Sequence, residues 1–156
     1  VDFSMVKAVG VSESVADFTK AFKGINILFA SESAKYDFSK VYGSPVTNYP
    51  DMMIEDAGLN DYSDMIAYHY DEEAIDLAEY VKEMDWPHDS GKGIILIAKA
   101  LDKGKGYAIY DIVLFDLAKR EILMSKEVSG KAMGFGLRNF WARPVYELTL
   151  DYSLFD

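Results

Sequence analysis

The sequence predicts an α+β fold: an antiparallel three- to five-stranded sheet with helices packed on one face. Three apolar runs of strand length follow Gly93 in close succession, joined by short polar or Gly-rich connections. Two amphipathic stretches carry helix start and stop signals, one ending at Gly24 and one at Trp86-Pro87. The length, 156 residues of which half are apolar, suits one domain over residues 1–156 with its own core.

Taken in order, Ser12 precedes Glu13, and Val15, Phe18 and Phe22 recur at helical spacing until Gly24, which predicts a short capped helix. Ile25 to Ala30 is an unbroken apolar run of strand length. Ala34, Tyr36 and Phe38 then alternate with Lys35, Asp37 and Ser39, again as in extended chain. From Gly43 to Asp71 the periodicity fades among Pro45, Pro50 and Gly58, so a long irregular connection is expected, with a helical turn near Asp51 to Ala57. Asp71 is a suitable N-cap, Glu72 and Glu73 suit the positive end of a helix dipole, and Ala74, Leu77, Ala78, Val81 and Met84 share one face.

The three strands are expected at Ile94 to Leu101, Tyr107 to Asp116 and Glu121 to Val128. Closing the second turn with Asp116 opposite Glu121 sets Asp111 against Lys126, Val113 against Met124 and Phe115 against Ile122. Closing the first with Leu101 opposite Tyr107 brings Ile95, Ile97 and Lys99 to the same side. That apolar face needs a helical cover. Lys99, Asp111 and Lys126 would then be partly buried as a structural ion pair that fixes register.

The last segment fits two templates. Tyr146, Leu148, Leu150, Tyr152 and Leu154 alternate with polar neighbours as in a strand, whereas Leu137, Phe140, Trp141, Val145, Leu148 and Tyr152 suit a helix. The alternation favours the strand, because Pro144 opposes an uninterrupted helix; a kinked or restarted helix is the other solution.

Charge is the most informative compositional fact. The net charge is −10, yet residues 48–90 hold 13 acids against the single base Lys82, while the flanking segments are neutral or slightly basic. Such a segment repels a polyanion and no Lys/Arg stripe compensates it, so nucleic acid is excluded as the expected partner. A protein partner with a basic surface fits, as does a plain solubilising role. No apolar run reaches the roughly 20 residues that cross a bilayer, so no transmembrane segment is expected and the chain reads as soluble. Cysteine is absent, which removes disulfides and thiolate metal sites. The first residue is Val1 rather than methionine, consistent with a processed or trimmed start.

Chemistry-bearing patterns are few. His69 lies near Asp71, Glu72 and Glu73, and His88 near Asp85 and Asp89, but neither spacing matches HExxH or an EF-hand loop. No metal, cofactor or catalytic residue is therefore assigned. The loop Gly130-Lys131-Ala-Met-Gly134-Phe-Gly136 leaves a strand and precedes Arg138 and Arg143, a place where backbone N–H groups hold an anion. It matches no phosphate-loop motif, and glycines there also serve positive φ or close packing. Asp-Phe/Tyr-Ser recurs at Asp2, Asp37, Asp61 and Asp151 without a period, which reads as turn chemistry. Tyr49, Met52, Met53, Tyr62, Met65 and Tyr68 concentrate in the acidic connection and suit an interface.

The run from Tyr107 to Trp141, with Asp111-Ile-Val-Leu-Phe-Asp116, Arg120-Glu-Ile-Leu and Ser129-Gly-Lys-Ala-Met-Gly-Phe-Gly136, resembles small uncharacterised exported α+β proteins of Bacteroidetes. Its layout is also similar to the amino-terminal domain of TolB. The resemblance implies a helix after Gly136, an extracytoplasmic setting in the periplasm, envelope or secreted fraction, and a non-catalytic role.

Three functions follow as expectations. The first is a non-enzymatic domain that binds a protein partner through residues 48–70, weakened if Tyr49, Met53 and Tyr68 are buried. The second is an anion or glycan module using Gly130 to Gly136, which needs a pocket beside that loop. The third is an enzyme with an Asp111- or His69-centred acid-base site, which needs a concave pocket around one of them.

Overall fold

The computed structural model describes residues 1–57, 59–72 and 74–156. Along the chain it contains β1 (Lys7–Val9), α1 (Val15–Ser31), α2 (Ser39–Tyr42), α3 (Asp51–Ala57), β2 (Ile66–Ala67), α4 (Leu77–Glu83), β3 (Lys92–Asp102), β4 (Tyr107–Asp116), β5 (Glu121–Lys131) and α5 (Leu137–Leu148). The α+β class is as expected, but the sheet is mixed. Its five strands run in the order β2-β1-β3-β4-β5, with β1 parallel to both β2 and β3 and the rest antiparallel.

Helical cover lies on both faces of the sheet rather than one. Leu96, Ala98, Tyr110 and Ile112 pack with Phe18, Phe22 and Ile25 of α1 and with Trp141, Val145 and Leu148 of α5. Their strand neighbours Ile95, Ile97, Val113 and Phe115 pack with Met53 of α3 and Val81 of α4. Successive strand residues point to opposite faces, so the nearly continuous apolar run in β3 is what a strand buried on both sides requires.

The helices begin and end where their caps allow. Ser14, not Ser12, caps α1: its Oγ accepts from the Asp17 amide (3.1 Å) and its own amide donates to the Asp17 carboxylate (3.2 Å). Replacing Ser14 with Ala is expected to cost about 1 kcal/mol in thermal or urea unfolding. Gly24 does not stop this helix, which runs on through the expected strand Ile25 to Ala30. The reason is a close approach: a Cβ at Gly24 would lie 2.9 Å from Arg138 Cδ of α5. Ile25, Leu28 and Phe29 are then buried at helical spacing. The expected extended segment from Ala34 to Phe38 is instead a set of turns leading into α2.

The helix expected from Asp71 starts only at Leu77. Asp76 is its N-cap, accepting from the Glu79 amide at 3.0 Å, while Asp71 pairs with His69. Glu73, expected in that first turn, and the breaker Gly58 lie outside the described residues. The helical turn at Asp51–Ala57 is present as α3.

Each hairpin carries one bulge. In the first, Asp102 pairs Tyr107 rather than Leu101, and Lys99 is the extra residue that restores the expected pairing of Ile97 with Asp111 and Ile95 with Val113. In the second, Asp116 faces Glu121 and Phe115 faces Ile122 as expected, but Leu123 is extra. Val113 therefore faces Ser125, and Asp111 faces Glu127 rather than Lys126. After the sheet the chain forms helix α5 through Pro144, not a strand, and Trp141, Val145 and Leu148 bury one stripe of it.

Candidate functional site

The four Asp-Phe/Tyr-Ser units explain much of the chain's local shape. In each, the Ser amide donates to the Asp carboxylate at 2.8 to 2.9 Å, at Ser4, Ser39, Ser63 and Ser153. The aromatic residue between is thereby turned into the core at Phe3, Phe38 and Tyr62. Asp2 uses its second oxygen to accept from the Tyr80 hydroxyl at 2.6 Å, and burial beside that carboxylate pushes the phenol well above its ordinary pKa.

Phe38 stands at one wall of a cleft of about 560 Å³. A second wall is the 45–53 connection, held to the end of α1 by Asn48, whose Nδ2 donates to the carbonyls of Tyr36 (2.8 Å) and Phe29 (3.2 Å). The Val46 amide donates to Ser39 Oγ at 2.8 Å, so the loop between Pro45 and Pro50 is fastened at two points. The third wall is Trp86 to Leu96. Trp86 is aimed by its Nε1–H, which donates to the Val81 carbonyl (2.9 Å), and its ring packs 4.6 Å from that of Phe115. Phe115 in turn lies over Gly93, where any Cβ would come within 2.5 Å of the ring.

Seven aromatic side chains border this space: Phe29, Tyr36, Phe38, Tyr42, Tyr49, Trp86 and Phe115. Tyr49 and His88 meet at 4.5 Å between ring centres and form a lip joining two segments 39 residues apart. His88, Ser90 and Lys92 supply the polar rim. Burial raises the Tyr36 phenol above its ordinary pKa, so it stays a neutral donor at physiological pH. The arrangement suits a flat apolar group held by van der Waals contact with a polar substituent at the mouth.

The segment expected as one interaction surface is divided. Tyr49, Met52 and Met53 border the cleft, with Met53 buried and Tyr49 exposed. Tyr62 and Met65 lie in the core, and Tyr68 is wholly exposed. The fading periodicity of this region gives no hint of the cleft; its local signals are Pro45, Pro50 and Trp86-Pro87.

A second cavity of about 380 Å³ lies beside the Gly130–Gly136 loop, between it and the end of α1. Gly134, Arg138 and Arg143 border it together with Glu32 and Lys35, whereas Lys131, exposed at the end of β5, does not border it. Gly130 is buried and serves close packing, and Gly134 and Gly136 hold positive φ of 122° and 81°. Arg143 pairs with Glu147 at 2.7 Å.

The expected ion pair is rearranged by the Leu123 bulge. Lys99 Nζ lies 3.6 Å from Asp111 and 2.7 Å from Glu127, while Lys126 donates to the Ser153 carbonyl (2.7 Å). Burial would pull the Lys99 ammonium down, but Glu127 and Asp111 outweigh it and hold it above 10.5. Burial raises Asp111, and Lys99 only partly opposes that rise. Neither Asp111 nor His69 borders either cavity; His69 and Asp71 are exposed on the surface, 3.1 Å apart.

Among the described residues no three His, Asp or Glu side chains converge closely enough to hold a metal ion. No described helix is long and apolar enough to cross a membrane. A scan against protein-family models and searches of curated proteins and of solved structures returned no match.

Proposed function

We propose that the chain is a non-catalytic binding domain whose large cleft takes a small, mainly apolar molecule bearing a flat ring. The supporting observation is the cleft itself, about 560 Å³ with seven aromatic side chains around it, a size that buries most of a small organic ligand. The rim favours a weakly acidic or hydrogen-bond-accepting substituent, since Lys92 and His88 stand there. A binding role also accords with the positions of Asp111 and His69 away from both cavities.

The test uses 8-anilinonaphthalene-1-sulfonate, an aromatic sulfonate, as probe. Native protein is expected to bind one equivalent with a blue shift and to quench emission from Trp86. Filling the wall with Met52→Trp is expected to weaken binding about tenfold or more. Equal probe emission from the two proteins, both folded by circular dichroism, would remove the reading. A second reading, docking of a basic protein on the acidic segment, is favoured by Tyr68 and Leu59, which are 102% and 84% exposed among Asp61, Asp64 and Asp71.

A further inference from the structure

The loop after β5 carries an apolar tip that the packing of the domain does not use. Phe135, between Gly134 and Gly136 in positive φ, is 97% exposed, and Met133, just before Gly134, is 47% exposed. The turn that presents Phe135 to solvent uses backbone angles at which a non-glycine residue would be strained. Phe135 and Met133 together present adjacent apolar surface to water, and burying it in a bound state would be favourable.

What encircles the tip is basic. The β3–β4 turn is tied to the loop by the Ala132 amide, which donates to the Gly106 carbonyl at 2.8 Å, and this brings Lys103 and Lys105 alongside. Lys103 Nζ stands 3.6 Å from the centre of the Phe140 ring, one turn into α5. Lys131 is paired with Tyr107 across the strands, and Tyr107 is itself 45% exposed. Arg138 leans across Gly24 of α1, and Lys35 and Arg143 flank the Tyr146 ring at 5.3 and 5.0 Å. Three carboxylates stand near, Glu32, Glu147 and Asp102: Glu147 is paired with Arg143, Asp102 accepts from the Lys105 amide and keeps its charge, and Glu32 borders the cavity, so the cations around the tip outnumber the acids rather than standing alone. Among the described residues Lys35, Lys103, Lys105, Lys131 and Arg138 have no carboxylate within ion-pair distance.

We propose that this end of the domain docks on an anionic lipid bilayer, with Phe135 and Met133 entering the headgroup boundary and the collar of lysines and arginines meeting lipid phosphates. Two features favour a bilayer over an acidic protein. The apolar group protrudes on a short glycine-bounded loop, as a wedge into a fluid surface does, where a protein partner would need a matching preformed pocket. The cations are mostly long, unpaired side chains distributed around the tip, suited to many mobile phosphates rather than one fixed carboxylate. The cavity of about 380 Å³ under the loop, bordered by Lys35, Arg138 and Arg143, has room for one headgroup. This proposal is independent of the aromatic cleft.

The test is flotation of the full chain with phosphatidylcholine vesicles, alone or with about one third phosphatidylglycerol, at low and high salt. Binding is expected only to the anionic vesicles and is expected to fall steeply with salt. Phe135→Asp is expected to weaken it about tenfold or more, and Lys131→Glu with Arg138→Glu by a similar factor. In a Phe135→Trp variant, emission should shift to the blue on anionic vesicles and be quenched by brominated acyl chains. All of these positions are exposed, so folding should be retained and is checked by circular dichroism. Binding unchanged by Phe135→Asp would overturn the proposal in favour of plain ion exchange. Failure to float with anionic vesicles at low salt would overturn it too, and retention on immobilised poly-glutamate would then point to an acidic protein.

Discussion

Gly130→Ala is expected to destabilise the domain by about 3 kcal/mol or more, read as a lowered urea midpoint at unchanged slope. Gly130 is buried in β5 where α5 crosses it, and an added Cβ would lie 2.4 Å from the Pro144 carbonyl oxygen and 2.7 Å from its Cα. Both obstacles are backbone, so no rotamer change relieves them, and Pro144 sits inside α5 with Trp141 and Val145 buried on either side. The backbone at Gly130 has no positive φ, so alanine would otherwise be neutral or mildly favourable there. Gly24→Ala supplies the contrast. Its Cβ would meet the flexible Arg138 side chain, Cδ at 2.9 Å and Cγ at 3.4 Å, and the gain in helix propensity, about 1 kcal/mol, should offset that shift. Equal effects of the two substitutions would refute the argument.

Lys99→Met is the second large effect, a loss of about 2 to 4 kcal/mol at pH 7. Lys99 is 7% exposed and is the shared partner of Asp111 (3.6 Å) and Glu127 (2.7 Å). Removing it leaves Asp111, 8% exposed, as a buried unpaired carboxylate. Asp111 already stands above 3.8 because of burial, and the Lys99 charge is what restrains it. Without that restraint it rises further. A carboxylate with a higher pKa in the folded than in the unfolded state takes up a proton more readily when folded, so stability falls as pH climbs from 3.8 through the folded value. The deficit of Lys99→Met should therefore be greatest at neutral pH and shrink towards pH 4. Lys99→Met combined with Asp111→Asn should recover most of it, while Asp111→Asn alone should cost less, because Lys99 keeps Glu127. A deficit that neither acid nor the second substitution reduces would count against this account.

How legible the fold was depended on whether its cause was local. The meander could be read because Asp102 to Gly106 and Leu117 to Arg120 are short turns between β-rich runs, and all four Asp-Phe/Tyr-Ser units proved to be turns because Asp and Ser act within three residues. The run from Ile25 to Ala30 was misread because a fully buried helix and a buried strand are equally apolar over six residues, and because Gly24, read as a stop, is a helix crossing. β1 and β2, of three and two residues, are too short to show a period. Pro144 lies within α5, where its backbone packs closely on Gly130, a residue of another element that no local pattern connects to it. The site was harder still. The Gly130–Gly136 loop was visible as a glycine cluster, but the aromatic cleft is assembled from segments as far apart as Phe29 and Phe115, joined by contacts such as those of Asn48 with Phe29 and Tyr36 and of Val46 with Ser39, which no local pattern announces.

The extra Leu123 in β5 bears on how the molecule keeps company in solution. β5 ends the sheet, so a stretch of 11 residues presents unsatisfied amides and carbonyls to anything extended that drifts past. A regular ladder there would be a template for fibre growth. The displaced residue breaks its rhythm, and Glu121, Lys126 and Glu127 add charge along the same border, so the misaligned pairing that separates Asp111 from Lys126 also makes the rim a poor seed for polymerisation.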